Sequence, residues 1–242
     1  MSSDRRRLRL ALAGLGLLFS LDVQAGVTAE RTRVIFHEGQ REASLLLVNL
    51  NPYPVVTQAW IDDGALDSTP ETAQAPLLPL PPLFRLEPGQ QRSLRLLPTG
   101  QALPRDRETL YWLNLYEIPP QPNEPLEAGQ SRLTVTLRTQ MKVLYRPRDL
   151  SPRAEEAPTR LAFSLDGDQL RVENPTPYFV TLASLQLLDG SDRLQIPGEL
   201  LSPFSQQPLP LPHRLPATAS DEIRFTWIDD DGNSQEGRAR LH

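Results

Sequence analysis

One long stretch of alternating apolar and polar residues, 131–147, stands out from the rest of the chain. Its apolar positions share one parity, which places them on one face of a β-strand; they are Leu133, Val135, Leu137, Met141, Val143 and Tyr145. From Leu133 to Tyr145 such a strand spans roughly 40 Å at about 3.3 Å per residue. Strands usually have about 5–6 residues. We therefore expect this strand to do two different things along its length.

Shorter alternating or apolar runs recur on both sides of this stretch, separated by turn residues. They are residues 31–36, 43–49, 55–61, 83–86, 92–97 and 107–118 before it, and 161–165, 170–173, 179–188, 202–209 and 222–228 after it. Residues 148–159 have no periodicity and indicate a linker. The pattern predicts an all-β protein of two domains, residues 26–148 and 149–242, of which the first has the strand spacing of an immunoglobulin-like sandwich and the second is also rich in strands.

The first 25 residues have the features of a signal peptide. Four arginines precede an apolar run at 10–21, and Val23-Gln24-Ala25 is a small-x-Ala cleavage site. We predict cleavage after Ala25 and no membrane span in the mature chain. An uncleaved anchor helix is the alternative, although the run is short for a bilayer, which needs about 20 residues. The chain has no cysteine, and an exported protein without disulfides suits the bacterial periplasm.

Composition and motifs argue against several classes of function. The net charge is −5 and there is no basic tract, which argues against nucleic-acid binding. His37, His213 and His242 are isolated, so neither a metal site nor another cofactor is expected. No nucleophile motif is present, and the acidic turn at 229–231 lacks the ligand spacing of a calcium loop. The sequence therefore predicts a binding protein and not an enzyme.

The alternating face of residues 131–147 is compatible with two arrangements. It either packs into its own domain or stays partly open to receive a partner's strand, and periodicity does not separate the two. A carbohydrate-binding sandwich is a further alternative. Such modules display exposed aromatic side chains, whereas Trp60, Trp112 and Trp227 lie in strand patterns and are predicted to be core.

Six segments, taken together and in order, resemble the periplasmic pilus (fimbrial) chaperones of the chaperone–usher pathway. They are RTRVIF at 31–36, Tyr53-Pro54 followed by QAW at 58–60, FRLEPG at 84–89, the stretch 106–120, KVLYRP at 142–147 and ENPTPY at 173–178. The short loop at 121–131 and the missing cysteine pair resemble the short-loop branch of this family. The resemblance implies that both domains are immunoglobulin-like β-sandwiches and that they form an L or boomerang.

The resemblance also implies partners and site residues. The partners are pilus subunits, which lack one strand of their own sandwich, and the outer-membrane usher that receives them. Leu133, Val135 and Leu137 would be donated to the subunit, and Arg33 and Lys142 would hold the subunit's C-terminal carboxylate. Whether the free protein hides its apolar edge in a self-capping dimer is left open.

Two structural features are implied in the same way. Glu108, Arg146 and Asp230 resemble the family's interdomain ionic cluster, and the third position is ambiguous because Asp229 and Asp231 flank Asp230. The Tyr53–Pro54 bond lies where the family has a cis proline.

Overall fold

The structure, a computed structural model, describes residues 26–121, 131, 133–189, 192–211 and 222–241. Strands dominate the described chain. Those of the first half are Val27–Ala29 (β1), Arg33–His37 (β2), Ala43–Asn49 (β3), Val55–Asp62 (β4), Leu77–Leu80 (β5), Leu83–Leu86 (β6), Gln91–Pro98 (β7), Thr109–Ile118 (β8) and Leu137–Arg146 (β9).

These nine strands form two facing sheets. One has the order β1-β3-β7-β5 and the other β2-β9-β8-β4-β6. Neighbouring strands are antiparallel except β2 and β9, which are parallel. Alternate residues of the strands point inward and bury a single core that includes Phe36, Leu45, Leu94, Leu113 and Val143. This is a complete sandwich with its own hydrophobic core.

The second half is a separate sandwich. A 3₁₀ helix, Ala154–Arg160, precedes the strands Ala162–Asp166 (β10), Gln169–Asn174 (β11), Val180–Asp189 (β12), Asp192–Pro197 (β13), Leu200–Leu201 (β14), Ser205–Pro210 (β15), Glu222–Ile228 (β16) and Ser234–Arg240 (β17). The sheets have the orders β10-β11-β15 and β13-β12-β16-β17, and β14 pairs with β12. A second core, including Phe163, Leu185 and Ile223, fills the space between them. The predicted all-β fold of two sandwiches is confirmed.

The connector between the sandwiches differs from the featureless linker that we predicted at 148–159. Its second part forms the 3₁₀ helix, in which Ala157 and Pro158 are buried. Ala157 belongs to the second core. The segment has no strand periodicity because only one short face of it is covered.

The strand predicted for residues 131–147 begins later than its alternation suggests. Strand β9 starts at Leu137, and residues 133–136 lie outside any strand. The reason is the lack of a neighbour. The ladder with β8 ends at the pair Glu117–Leu137, and two prolines follow β8 at 119 and 120. Alternation alone does not make a strand when no backbone is available to pair with it.

The predicted cis bond at Tyr53–Pro54 was wrong. The cis bonds of the described chain are Leu80–Pro81 and Ser151–Pro152. The turn before Pro54 is instead closed by the Asn49 side chain, whose Nδ2 donates to the carbonyl of Tyr53 at 3.0 Å and to that of Leu86 at 3.1 Å. With these bonds the chain reverses without a cis peptide.

Candidate functional site at the junction of the two sandwiches

Arg33 and Lys142 lie side by side on the parallel strands β2 and β9, where they are register partners. Both side chains reach the second sandwich. Arg33 Nη1 donates to the carbonyl oxygen of Ile228 at 3.1 Å, and Lys142 Nζ donates to Thr181 Oγ1 at 3.1 Å. Thr181 and Ile228 are themselves register partners on β12 and β16. One cross-strand pair of the second domain, Thr181 and Ile228, therefore binds both Arg33 and Lys142.

This pair of cations has no anion in contact within the described part of the chain. Among the described residues neither side chain forms an ion pair, although Arg33 is only 7% exposed. The Nε of Arg33 is buried without a hydrogen-bond partner. Burial lowers the pKa of Arg33, against the opposing charges of Asp230 and Asp229. Burial and the charge of Arg33 both lower the pKa of Lys142. A carboxylate bound here would satisfy both groups.

Lys142 has a further property that our sequence reasoning missed. It is the single lysine among the 25 Lys and Arg residues of the chain. A primary amine is a compact charge whose three donors can rotate, while guanidinium is a rigid fork. The use of lysine at one position alone, in a chain that otherwise uses arginine, was the available signal for a special environment.

The apolar face of the long stretch divides into two parts. Met141 and Val143 are buried in the first core. Leu137, Val135 and Leu133 continue the same parity but are 44%, 59% and 87% exposed. The face thus supplies the protein's own core at one end and leaves an aliphatic row open at the other.

The backbone edge beside this row is also open. Strand β2 pairs only with Lys142–Arg146 of β9. On that side, residues 137–141 have no neighbouring strand in the described part of the chain. An unpaired strand edge beside exposed aliphatic side chains is a template for strand addition by another chain.

Glu108, Arg146 and Asp230 meet as the resemblance implied. Arg146 Nε donates to Glu108 Oε1 at 2.5 Å, and its two terminal nitrogens donate to the Asp230 carboxylate at 2.7 and 3.0 Å. Asp229 instead accepts the backbone amides of Asp231 and Asn233. Asp230, and not its neighbours, therefore completes the cluster.

The cluster bridges the two sandwiches through the buried carboxylate of Glu108. The amide of Phe179 donates to Glu108 Oε2 at 2.8 Å, and the amide of Glu108 donates to the carbonyl of Pro177 at 2.9 Å. Burial raises the pKa of Glu108, and the charge of Arg146 opposes this shift. The Arg146 guanidinium also lies 5.3 Å from the ring centroid of Tyr178. These contacts fix one domain against the other.

Three further observations concern a membrane helix, a metal site and a carbohydrate-binding surface. No helix in the described part of the chain is long and apolar enough to cross a bilayer. Within the same residues no three acidic or histidine side chains are grouped to hold a metal ion. Trp60 is buried in the first domain, Trp227 packs against the second core, and Trp112 is half-buried. None of the three forms the exposed platform of a carbohydrate-binding module.

A polar network on the outer face of one sheet of the first domain, in which Asp62 and Asn114 are buried and Arg138 is partly exposed, was not predicted. Asp62, Asn114 and Arg138 are hydrogen-bonded to one another across β4, β8 and β9. Each residue is unremarkable in its own run, and only the strand order brings them together.

Comparison with known proteins identifies the family. Residues 26–151 match the N-terminal domain of the PapD pili and flagellar-assembly chaperones, and residues 156–239 match the PapD pili assembly chaperone C-terminal domain. The chain belongs to this family of pilus-assembly chaperones. Such chaperones are not enzymes, which confirms the expectation of a non-enzymatic protein.

Relatives of the chain cover nearly its whole length. It is 36% identical over 239 residues to the chaperone protein FimB/FhaD of Bordetella pertussis, covering 96% of each chain. It is 33% identical to the probable fimbrial chaperone YadV of Escherichia coli K12, with 93% of this chain and 94% of YadV covered.

Solved structures of pilus chaperones share the fold. The YadV chaperone has a TM-score of 0.77 at 30% identity, with 90% of this chain and 100% of YadV covered. The Salmonella enterica SafB chaperone, solved in complex with the SafA pilin, has a TM-score of 0.74 at 33% identity, with 89% of this chain and 96% of the other covered.

Proposed function

We propose that this pilus-assembly chaperone binds, folds and caps pilus subunits in the periplasm by lending them the exposed segment 133–137, and then delivers them to an outer-membrane usher. One observation carries the proposal. In the described part of the chain, the aliphatic row Leu133, Val135 and Leu137 lies beside an open strand edge, and that edge ends at two cations that contact no anion. A subunit that lacks a strand and ends in a carboxylate complements both features.

Both features contribute favourable energy to capture of a subunit. Burying three aliphatic side chains contributes roughly 1.5–3 kcal/mol each, or about 5–9 kcal/mol before ordering costs. A carboxylate on Arg33 and Lys142 adds charge-assisted hydrogen bonds of about 1.5–3 kcal/mol each. The cations also set the register, because a slip of one residue would present Thr134, Thr136 and Arg138 to the subunit's groove.

The partner and the compartment follow from the family. SafB, the 33% identical neighbour, is bound to a pilin, and the neighbour SfaE, at 27% identity, is a periplasmic chaperone. Export by the leader at 1–25, with cleavage after Ala25, belongs to the proposal and lies outside the described residues. The short-loop branch and the domain limits at 148 and 149 also stay predictions. Self-association of the free protein through its open edge is a further prediction.

The test is recovery of subunits from the periplasm. A tagged chaperone is purified from the periplasm of its host, and the bound proteins are identified by mass spectrometry. Lys142→Ala and Leu137→Glu should each remove the pilus subunits, the first by halving the carboxylate anchor and the second by placing a charge in an apolar groove. Neither change touches the core, so both variants should fold.

Arg95→Ala is the matched control, because Arg95 lies on the opposite sheet in an exposed ion pair with Glu42. It should retain the subunits. Unchanged recovery with Lys142→Ala would contradict the anchor, and unchanged recovery with Leu137→Glu would contradict strand donation. A specific glycan ligand would favour the carbohydrate-binding alternative.

A further inference from the structure

Arg138 adjoins the open aliphatic row but points to the other side of its strand. Its guanidinium reaches three acceptors. Nε donates to Asn114 Oδ1 at 2.9 Å, Nη1 donates to the carbonyl of Leu66 at 3.0 Å, and Nη2 lies 3.4 Å from Asp62 Oδ2. The same group stands 5.0 Å from the ring centroid of Trp60. Such a set of contacts uses the fork geometry of arginine fully.

The acceptors are themselves held in place. Asn114 and Asp62 are buried. The Asp62 carboxylate also accepts Trp60 Nε1 at 3.1 Å, Asn114 Nδ2 at 2.7 Å and the amide of Gly64 at 2.8 Å. A buried carboxylate with three other donors has a single position. Arg138 is therefore bound to a rigid part of the first sandwich.

The anchoring extends to the segment before β9. Tyr116 is the register partner of Arg138 on β8, and its hydroxyl donates to Thr136 Oγ1 at 3.1 Å. Gln140 Nε2 donates to Asn114 Oδ1 at 2.9 Å on the other side of Arg138. Three successive residues of one parity, 136, 138 and 140, are thus tied down by side chains at the point where the backbone ladder ends.

We propose that Arg138 is a positioning residue for the donated segment. Its fork holds the polar face of the strand against Asn114, Asp62 and the carbonyl of Leu66, so that Leu137, Val135 and Leu133 are presented outward in register before a subunit arrives. Arg138 acts through the strand and does not touch the subunit. Pre-ordering of the segment removes part of the ordering cost of binding. This proposal rests on the proposed function.

A spin label measures the effect in the free protein. The chain has no cysteine, so Thr134→Cys, at an exposed position, gives one nitroxide site within the segment. Adding Arg138→Ala should sharpen the spectrum as the segment becomes mobile. The melting temperature should fall as well, because the buried Asp62 carboxylate loses its cation, so the spectra are recorded well below the transition of the variant, where both proteins are folded. Arg138→Lys should not restore the broad spectrum, because one ammonium cannot span the three acceptors.

The second measurement is the dissociation rate of a captured subunit, without the label. Arg138→Ala should release it on the order of tenfold faster, because the bound segment must then stay ordered without the fork, and a tenfold change corresponds to about 1.4 kcal/mol of ordering cost. Arg95→Ala should leave both readouts unchanged.

Three results would overturn the proposal: an unchanged spectrum with Arg138→Ala, full rescue by lysine, or faster dissociation that only accompanies general unfolding. If the wild type captures no subunit, the proposed function fails, while the spectrum of the free protein still decides the role of Arg138.

Discussion

Two cations on one strand face, Lys142 and Arg146, have opposite surroundings. They lie four residues apart on β9, and both reach the second sandwich. Arg146 is enclosed by the carboxylates of Glu108 and Asp230. Lys142 has the hydroxyl of Thr181 and the neighbouring cation Arg33. Arg146 thus belongs to a closed ionic cluster. Lys142 and Arg33 form an open pair, two cations that contact no carboxylate among the described residues.

The pKa shifts of the two groups run in opposite directions. Burial lowers the pKa of Arg146, but hydrogen bonding to Asp230 and the charge of Glu108 outweigh it, so the net shift is upward. Burial and Arg33 lower the pKa of Lys142. The closed cluster therefore stabilises the charge of Arg146, although burial still raises the pKa of Glu108, while the surroundings of Lys142 disfavour its charge. One junction therefore contains two cationic centres that differ in whether carboxylates surround them, and we propose that the centre without carboxylates binds the subunit.

The largest expected effect comes from breaking the closed cluster. Glu108→Ala leaves the buried Arg146 guanidinium with one acid and leaves the amide of Phe179 without its acceptor. Loss of one partner from a buried ion pair costs about 3–5 kcal/mol, and we expect about 3 kcal/mol because Asp230 remains. Urea unfolding measures the loss. The control Glu42→Ala, from the exposed pair with Arg95, should cost less than about 1 kcal/mol. Equal losses in the two variants would contradict the cluster's structural role.

Removing a charge from the open pair, Arg33 and Lys142, should not destabilise the protein. Lys142→Met removes a half-buried charge that lies beside the buried Arg33, and it keeps the length of the side chain. We expect the melting temperature to stay the same or to rise, by about 2–4 °C for each kcal/mol gained in a chain of this size, while subunit capture is lost. Calorimetry and the periplasmic recovery test measure the two effects. A clear fall in melting temperature would show that Lys142 is structural.

The stability of Lys142→Met should also depend on pH differently from that of the wild type. The pKa of Lys142 is below its ordinary value of 10.5 in the folded protein. Between the lowered value and 10.5 the unfolded chain binds more protons than the folded one, so wild-type stability gains a component that rises with pH in this window. Lys142→Met should lack that component. The difference between the two profiles cancels the tyrosines, which titrate nearby.

Local patterns predicted the sandwiches but not the surroundings of the site. Alternation is a property of neighbouring residues, and it located most strands. It placed the start of β9 too early because alternation persists through 133–136 after the neighbouring strand has ended. Arg33 and Lys142 were found through the family's motifs. The lack of an anion beside them depends on Thr181 and Ile228, which lie far along the chain and belong to another domain.

The smallest expected effect on stability is that of Asp230→Asn, a change in the closed cluster that should also alter binding at the open pair. Asp230 holds Arg146 with two hydrogen bonds, but its side chain is 47% exposed, so Asp230→Asn should cost only about 1 kcal/mol, and less at high salt. Asp230 is also the acid whose charge acts most on Arg33. Removing that charge leaves the open pair more positive, so a peptide with the subunit's C-terminal carboxylate should bind more tightly, by a few-fold at low salt. Asp231→Asn removes the same charge from the adjacent exposed position and should change both quantities less. Weaker peptide binding by Asp230→Asn would mean that the closed cluster supports the open pair through domain geometry more than it competes with it through charge.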